Sequence, residues 1–363
     1  MVNQLYPRLE INLQYLKENV SAIVERCAES GIDIAGVIKG TTGIPECAKM
    51  FEEGGAKMIA SSRLEQIEDS INYGIKLPYL LLRVPMLSEI PEVIRLTDIS
   101  LNSELSVLEA LNEEAAKQNK IHKVILMADL GDLREGFWDK DEMVDVAVKV
   151  ENEMDNLNLA GVGTNLGCYG SIEATADKLD ELVAIAERIE EKIGRKLEYI
   201  SGGATTSLPR ILFNDMPERV NLLRCGEGIL LAKDLPRFFG YDFSFMHDDV
   251  YKLKAEVIEV KTKPSHPIGK ISIDAFGHTP EYVDRGIRKR ALLGIGKVDY
   301  GSIDEITPLA EGIEVIGASS DHTIIDIEDY KGELKPGDIV EFDIVYASLV
   351  YLTNTRNVNI VFV

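Results

Sequence analysis

The feature that most constrains this chain is a recurrence. Between Leu9 and Cys225, short apolar runs alternate with amphipathic stretches. The runs are IDIAGVIK (32–39), AKMIAS (56–61), YLLLRV (79–84), DISLNS (98–103), KVILMADL (123–130), LAGVGTNL (159–166), EYISGG (198–203) and RVNLLRCG (219–226). They are nearly continuous in apolar residues, which is how strands buried on both faces read. Between them lie helical patterns. Leu13, Leu16, Val20, Ile23, Val24 and Cys27 recur at helix spacing, with a stop near Gly31, and Leu179, Leu182, Ile185, Ile189 and Ile193 form a second stripe ending at Gly194. Strand-then-helix units with short joints imply a parallel sheet. Eight of them fit a closed (β/α)8 barrel, with an open doubly wound sheet as the alternative. Gly161, Gly163 and Gly167 come near a dinucleotide fingerprint, but the spacing is wrong and no helix opens directly after them.

Beyond this region the texture changes. KLKAEVIEVKTK, GKISIDAF, RALLGIG, GIEVIGAS, HTIIDI and DIVEFDIVYASLV are β-rich, with Gly, Pro and Asp at the joints and little helix signal. The expected organisation is an α/β (TIM-type) barrel over 1–235 and a C-terminal antiparallel β domain over 236–363. The sheet of that domain begins near residue 248, and the first strand, 8–12, is free to pair with it.

Composition excludes several classes. No run of about 18 apolar residues is present, so no membrane span is expected. The start, MVNQLYPRLEIN, lacks a charged segment followed by an apolar core, so no signal peptide is expected. Cys27, Cys47, Cys168 and Cys225 are scattered with no CxxC pair, which suits reduced thiols and a cytoplasmic location. A net charge of −22 argues against phosphate-mediated nucleic-acid binding. The histidines show no ligand spacing with Cys or carboxylates, so no metal is expected.

In a barrel, chemistry sits at the C-terminal strand ends. Those ends carry Lys39, Ser62 with Arg63, Arg83, Asn102, the segment from Asp129 to Arg134, Asn165, the turn SGGATTS (201–207), and Arg224 with Gly226. The set is cationic and rich in glycine amides, which suits an anionic ligand. Lys39 ends an apolar run directly before a glycine turn, and isolated buried charge is costly. Either it snorkels to solvent, or it is a desolvated amine of lowered pKa able to form an imine with an aldehyde. The SGGATTS turn is either a phosphate cradle or an ordinary capped strand-to-helix turn. Arg134 could hold a carboxylate bidentately or sit in a surface ion pair. His322 stands beside Asp321, as an acid–base pair or a satisfied turn histidine.

Taken in order, these pieces resemble the alanine racemase family of pyridoxal 5′-phosphate (PLP) enzymes. The resemblance runs through PRLEINLQYLKENV, AGVIKG, DLGDLREGF, SGGATTS, NLLRCGEGILL and IGASSDHTIIDI. KGTTGIPECAKMFEEGGAKMIASSRLEQIE and VIGASSDH are most similar to its ornithine racemase branch. The resemblance implies that Lys39 holds PLP as an imine and acts as base on one face of Cα. It implies that Arg224 faces the pyridine nitrogen, that Ser201, Thr205, Thr206, Gly226 and the Glu227 backbone bind phosphate, and that Asn165 stands where the family has a ring-contacting histidine. Arg134 and Ser320 would contact substrate. Two departures stand out. Thr41-Thr42-Gly43 replaces a tyrosine after the lysine. The family's opposite-face tyrosine has its best match in Gly296-Lys297-Val298-Asp299-Tyr300, leaving Lys297, Tyr300, Asp321 and His322 as candidates for the second base.

The implied activity is two-base racemisation of an amino acid, ornithine first, with alanine, lysine or serine as alternatives. The implied assembly is a head-to-tail homodimer sharing its sites. A relative with another reaction (decarboxylase, aldolase or dehydratase) and a non-catalytic PLP carrier are the competing readings. A missing Cys/His cluster near the C-terminus speaks against the aldolase and dehydratase, which commonly use a metal, the chain's length against most decarboxylases, and the extra β domain against the carrier.

Overall fold

The computed structural model describes residues 5–274, 276–277 and 279–363. The chain divides into two compact units, Gln14–His247 and Met1–Leu13 with Asp248–Val363. Residues 236–247 thus group with the first unit, and the segment before Gln14 with the second.

In the first unit the eight apolar runs become eight strands: β2 (Asp33–Val37), β3 (Met58–Ser61), β4 (Tyr79–Leu81), β5 (Ile99–Asn102), β6 (His122–Ala128), β7 (Leu157–Thr164), β8 (Tyr199–Ser201) and β9 (Leu222–Cys225), preceded in the chain by β1 (Arg8–Ile11). β2 to β9 pair in parallel in sequence order, and β9 pairs back onto β2, closing the barrel. The open-sheet alternative is excluded. Most strand residues are buried, as a sheet lined inside by side chains and outside by helices requires. The inner core includes Val37, Met58, Leu80, Leu101, Met127 and Leu222.

The helices of this unit are α1 (Leu13–Ala28), α2 (Pro45–Glu53), α3 (Leu64–Tyr73), α4 (Ile90–Leu96), α5 (Leu105–Lys117), α6 (Lys140–Glu153), α7 (Ala176–Ile193) and the short α8 (Pro209–Leu212), α9 (Glu227–Leu230) and α10 (Asp234–Phe239). α1 buries Leu16, Val20, Ile23 and Cys27, the stripe its sequence spacing predicts. α7 buries Leu179, Leu182, Ile185 and Ile189 and ends at Gly194, whose φ of 73° is the left-handed conformation of a helix C-cap.

The second unit holds an eight-stranded sheet. Its strands are β1, β10 (Tyr251–Pro264), β11 (Ile287–Leu293), β12 (Ile306–Pro308), β13 (Glu314–Ala318), β14 (Thr323–Asp326), β15 (Ile339–Ile344) and β16 (Asn359–Phe362). All pairs are antiparallel except β1 with β16, which is parallel; β1 also pairs antiparallel with β10.

Two local expectations fail. GKISIDAF (269–276) forms no strand among its described residues (Ala275 lies outside them), and its Ile271 and Ile273 are 36% and 68% exposed. β-rich composition does not make a strand where no neighbouring strand accepts its hydrogen bonds. DIVEFDIVYASLV was read as β throughout, but the strand stops at Ile344 and α12 (Tyr346–Asn354) follows the one-turn α11 (Lys297–Tyr300) in chain order. Ser348 explains the switch: its Oγ accepts from the Val345 amide at 3.2 Å, half of a capping box. Leu349 and Leu352 then bury the helix face.

Gly161 on β7 is the tightest point in the barrel wall, since a Cβ there would stand 2.1 Å from the Tyr199 carbonyl oxygen on β8. That neighbour is backbone and cannot yield without opening the sheet. Gly161→Ala is expected to lower stability by about 1–3 kcal/mol, seen as a lower urea midpoint at unchanged slope; an unaltered midpoint would contradict this packing.

Candidate active site

Every barrel residue singled out from the sequence lies at or just beyond a C-terminal strand end. Lys39 follows β2, where the chain tightens into a single 3₁₀ turn over Lys39–Thr41. Thr41 Oγ1 and the Gly43 amide both donate to the Ile38 carbonyl, at 3.0 and 3.1 Å. The turn therefore fixes the lysine stem, in a residue that as a whole keeps an exposed face. Surrounding protein nonetheless desolvates the lysine amine and lowers its pKa; Arg134 and Arg224 push the same way, against Cys168 and Glu135.

Arg224 projects from β9 and is 4% exposed. It donates to Ser201 Oγ at the end of β8 and to the Thr164 carbonyl at 2.7 Å at the end of β7. Burial brings its pKa down to about 10, so it remains a cation at neutral pH. Asn165 follows Thr164, and its Nδ2 is buried with no hydrogen-bond partner. A buried donor with no protein partner is available to a water or a bound ligand.

The SGGATTS turn and the Gly226–Gly228 segment converge. Gly203, at φ 113°, turns the chain into a 3₁₀ turn over Thr205–Ser207. The Gly228 amide donates to Thr205 Oγ1 at 3.0 Å, tying that turn to the start of α9. Thr206 Oγ1 donates to the Leu166 carbonyl at 2.8 Å. The Thr205 hydroxyl proton therefore remains free for an anion, whereas Thr206 can offer only its amide. Two adjacent helical starts with outward N–H groups form an anion cradle. Gly228 fits because a Cβ there would meet Thr205 Cγ2 at 2.8 Å. Glu227 is buried with Oε2 unpaired, while Oε1 accepts from the Lys233 and Asp234 amides at 3.3 and 3.1 Å. Burial, with the nearby Asp234 charge, pushes its carboxyl up to about 7.

The loop after β6 carries the segment from Asp129 to Arg134, in which the sequence reading gives a role only to Arg134. Asp132, 2% exposed, accepts from three amides of the loop after β7: Gly167 and Cys168 through Oδ1, at 3.1 and 3.3 Å, and Tyr169 through Oδ2 at 3.1 Å. Asp129 Oδ1 accepts from Gly131 and Leu133 at 2.8 and 3.1 Å. The Asp-x-Gly pattern of DLG was the available signal for this closed turn. Glu135 was also missed; it pairs with Arg134, two-pronged, within the same loop. Arg83 is held by Glu89, its single Nη2 donating to both carboxylate oxygens at 2.8 and 2.7 Å, which makes it a local ion pair.

The C-terminal candidates group among themselves. The Lys297 and Val298 amides donate to the Ser319 and Ser320 carbonyls at 3.0 and 3.2 Å, and the Ser319 amide to His322 at 2.8 Å. A Cβ at Gly296 would lie 2.1 Å from the Ser320 oxygen, so only glycine allows this approach. Tyr300 is fully buried with its hydroxyl 2.7 Å from Thr323 Oγ1, whereas Asp321 and His322 are exposed and Lys297 half-buried. Lys297 Nζ stands 4.5 Å from the Phe276 ring centroid. Among the described residues, no group of three or more His, Cys, Asp or Glu is arranged to hold a metal ion.

Residues 11–234 match the family model described as alanine racemase, N-terminal domain. The chain is 38% identical over 346 residues to an ornithine racemase of Acetoanaerobium sticklandii, covering 95% of this chain and 96% of that one. It is equally, 38%, identical over 346 residues to a lysine racemase of Thermotoga maritima, with 95% of each covered. An alanine racemase of Clostridium difficile 630 shares the fold, at a TM-score of 0.75 and 21% identity, over 99% of this chain and 96% of that one.

The raised pKa of Glu227 gives a signed expectation. Its folded carboxyl titrates near 7, against about 4.3 unfolded, so the folded state holds the extra proton and wild type loses stability as pH rises through that window. Glu227→Gln should match wild type near pH 4, gain on it progressively to pH 7, and keep the gain above. Parallel melting-temperature curves across pH would refute the assignment.

Proposed function

The chain belongs to the alanine racemase family, and from that premise we propose that it is a PLP-dependent racemase of a basic amino acid, ornithine first and lysine next. The observation that carries the proposal is the convergence on one barrel end of a desolvated lysine, a buried guanidinium and an amide cradle.

These residues fit the cofactor. The cradle of Thr205, Thr206, Gly226 and Glu227 amides, with the Thr205 hydroxyl, suits the phosphate. The unpaired Asn165 Nδ2 offers a donor to the ring substituents, and Ser201 steadies Arg224. When bound, PLP joined to an amino group acidifies the Cα–H bond of an amino acid. Arg224 presents donors only, so a ring nitrogen facing it stays an acceptor. That restrains electron withdrawal and favours simple return of the proton over side reactions. Lys39 holds the cofactor through Nζ in the resting enzyme and, as a free amine of lowered pKa, takes or returns the Cα proton on one face. Arg134 orients the substrate carboxylate.

The opposite face needs its own acid. The C-terminal unit supplies it, from Lys297, Asp321 or His322, with Ser320 beside them. Tyr300 is better fitted to a structural role, because its hydroxyl is buried against Thr323. A head-to-tail homodimer, in which each site takes this group from the partner subunit, completes the arrangement. Four free cysteines suit the cytoplasm, and among the described residues no helix is long and apolar enough to cross a membrane.

Two relatives named for basic amino acids, at equal identity, support ornithine or lysine over alanine. Protein purified with PLP should be yellow and should exchange the Cα hydrogen of L-ornithine or L-lysine for deuterium while forming the D enantiomer. Lys39→Ala should abolish both colour and turnover. Among Lys297→Ala, Asp321→Asn and His322→Ala, the variant that keeps the colour but loses at least roughly 100-fold in kcat marks the second acid. A colourless wild type, or one that leaves single enantiomers intact, removes the proposal.

A further inference from the structure

The loop after β6 carries four carboxylates, Asp129, Asp132, Glu135 and Asp139, and they differ in commitment: Asp129 and Asp139 accept from backbone amides of their own turns. Asp132 spends both oxygens on the amides of Gly167, Cys168 and Tyr169. Glu135 has one partner, Arg134, with Nη2 at 2.5 Å and Nε closer still. The glutamate side chain is 19% exposed and the arginine 43%. The charge of Glu135 acts on both Lys39 and Arg224, favouring their charged forms. The loop itself is stiff. Phe137 donates to the Met127 carbonyl at 2.7 Å, and Gly136 passes so close to Asp129 that a Cβ would stand 2.4 Å from its amide nitrogen. Glu135 therefore sits on a segment tied back to the end of β6, next to Arg134.

Nothing in the turn requires a carboxylate at this position, since the backbone contacts that close it come from Asp129, Gly136 and Phe137. Its presence has a consequence for any substrate bound through Arg134. A docking carboxylate takes over the guanidinium fork, and Glu135, already largely desolvated, is left as an unpaired anion. Stranding one partner of such a pair is expensive unless another cation replaces the lost one. A diamino acid brings that cation on its own side chain.

Resting on the racemase reading above, we propose that Glu135 is the residue that selects a basic side chain. Substrate binding exchanges the internal Arg134–Glu135 pair for two new ones, Arg134 with the substrate carboxylate and Glu135 with its distal ammonium. An amino acid with a neutral side chain completes only the first exchange and leaves Glu135 uncompensated. The selection is thus both attraction of the right substrate and rejection of the wrong one. Glu135 needs no part in the proton transfers.

The test uses the PLP-loaded enzyme with L-lysine and L-norleucine, which share a carbon chain and differ in the terminal ammonium, and with L-ornithine and L-alanine. Glu135→Gln should lower kcat/KM for lysine and ornithine by roughly 10- to 100-fold, chiefly through KM. Norleucine and alanine should be unchanged or improved, and Glu135→Asp should recover part of the loss. An equal loss on charged and neutral substrates, no loss on either, or disappearance of the cofactor absorbance in the Gln variant overturns the assignment. The racemase reading fails separately, if wild type turns over none of the four amino acids.

Discussion

The pairing of β9 with β2, which places Ala35 opposite Arg224 and Gly36 opposite Cys225, is the contact that closes the barrel. Lys39 follows the first barrel strand and Arg224 lies on the last. On an open sheet they would sit at opposite edges, and closure makes them neighbours. That proximity answers why a strand buried on both faces should end in an ammonium group. The amine is desolvated and pressed by two guanidinium groups. Such a group is poorly suited to remain a bare charge, and the cofactor proposed above would give it a carbonyl carbon to join and a phosphate to compensate the cations around it.

Local and global charge are opposed in this protein. The chain carries −22, yet the barrel end assembles Lys39, Arg134 and Arg224 around an amide cradle. The acidic groups admitted there are each disarmed by geometry: Asp132 by three amide donors, Glu135 by Arg134, and Glu227 by burial that favours its neutral form. An anionic ligand therefore meets a net attractive field despite an acidic surface.

Much of this was legible in the sequence, and the reason is periodicity. Strands buried on both faces cannot hide their continuous apolar runs, so all eight barrel strands were readable, and with them the strand ends where Lys39, Asn165 and Arg224 stand. The unread parts depend on contacts remote in sequence. Asp132 reads as a loop aspartate; only the fold brings three amides from the loop after β7 to it. Glu135 beside Arg134 reads as a solvated charge pair. The helix Tyr346–Asn354 resisted because YASLVY is as apolar as a strand, and the single hydroxyl of Ser348 decides the matter. GKISIDAF erred the other way: its alternation is genuine, but no described strand lies alongside to pair with it. Which group delivers the second proton stayed open because Lys297, Asp321 and His322 all lie around one tight backbone crossing at Gly296.

The strand Arg8–Ile11 pairs with both β10 and β16, the latter within the last residues of the chain. Both partners are remote in sequence, with the whole barrel lying between β1 and either of them, so the second unit has a long loop to close before its sheet is complete. Loss of β16 would bare one edge of β1, and loss of β1 would bare the β10 and β16 edges it covers, each an invitation to self-association rather than a harmless change.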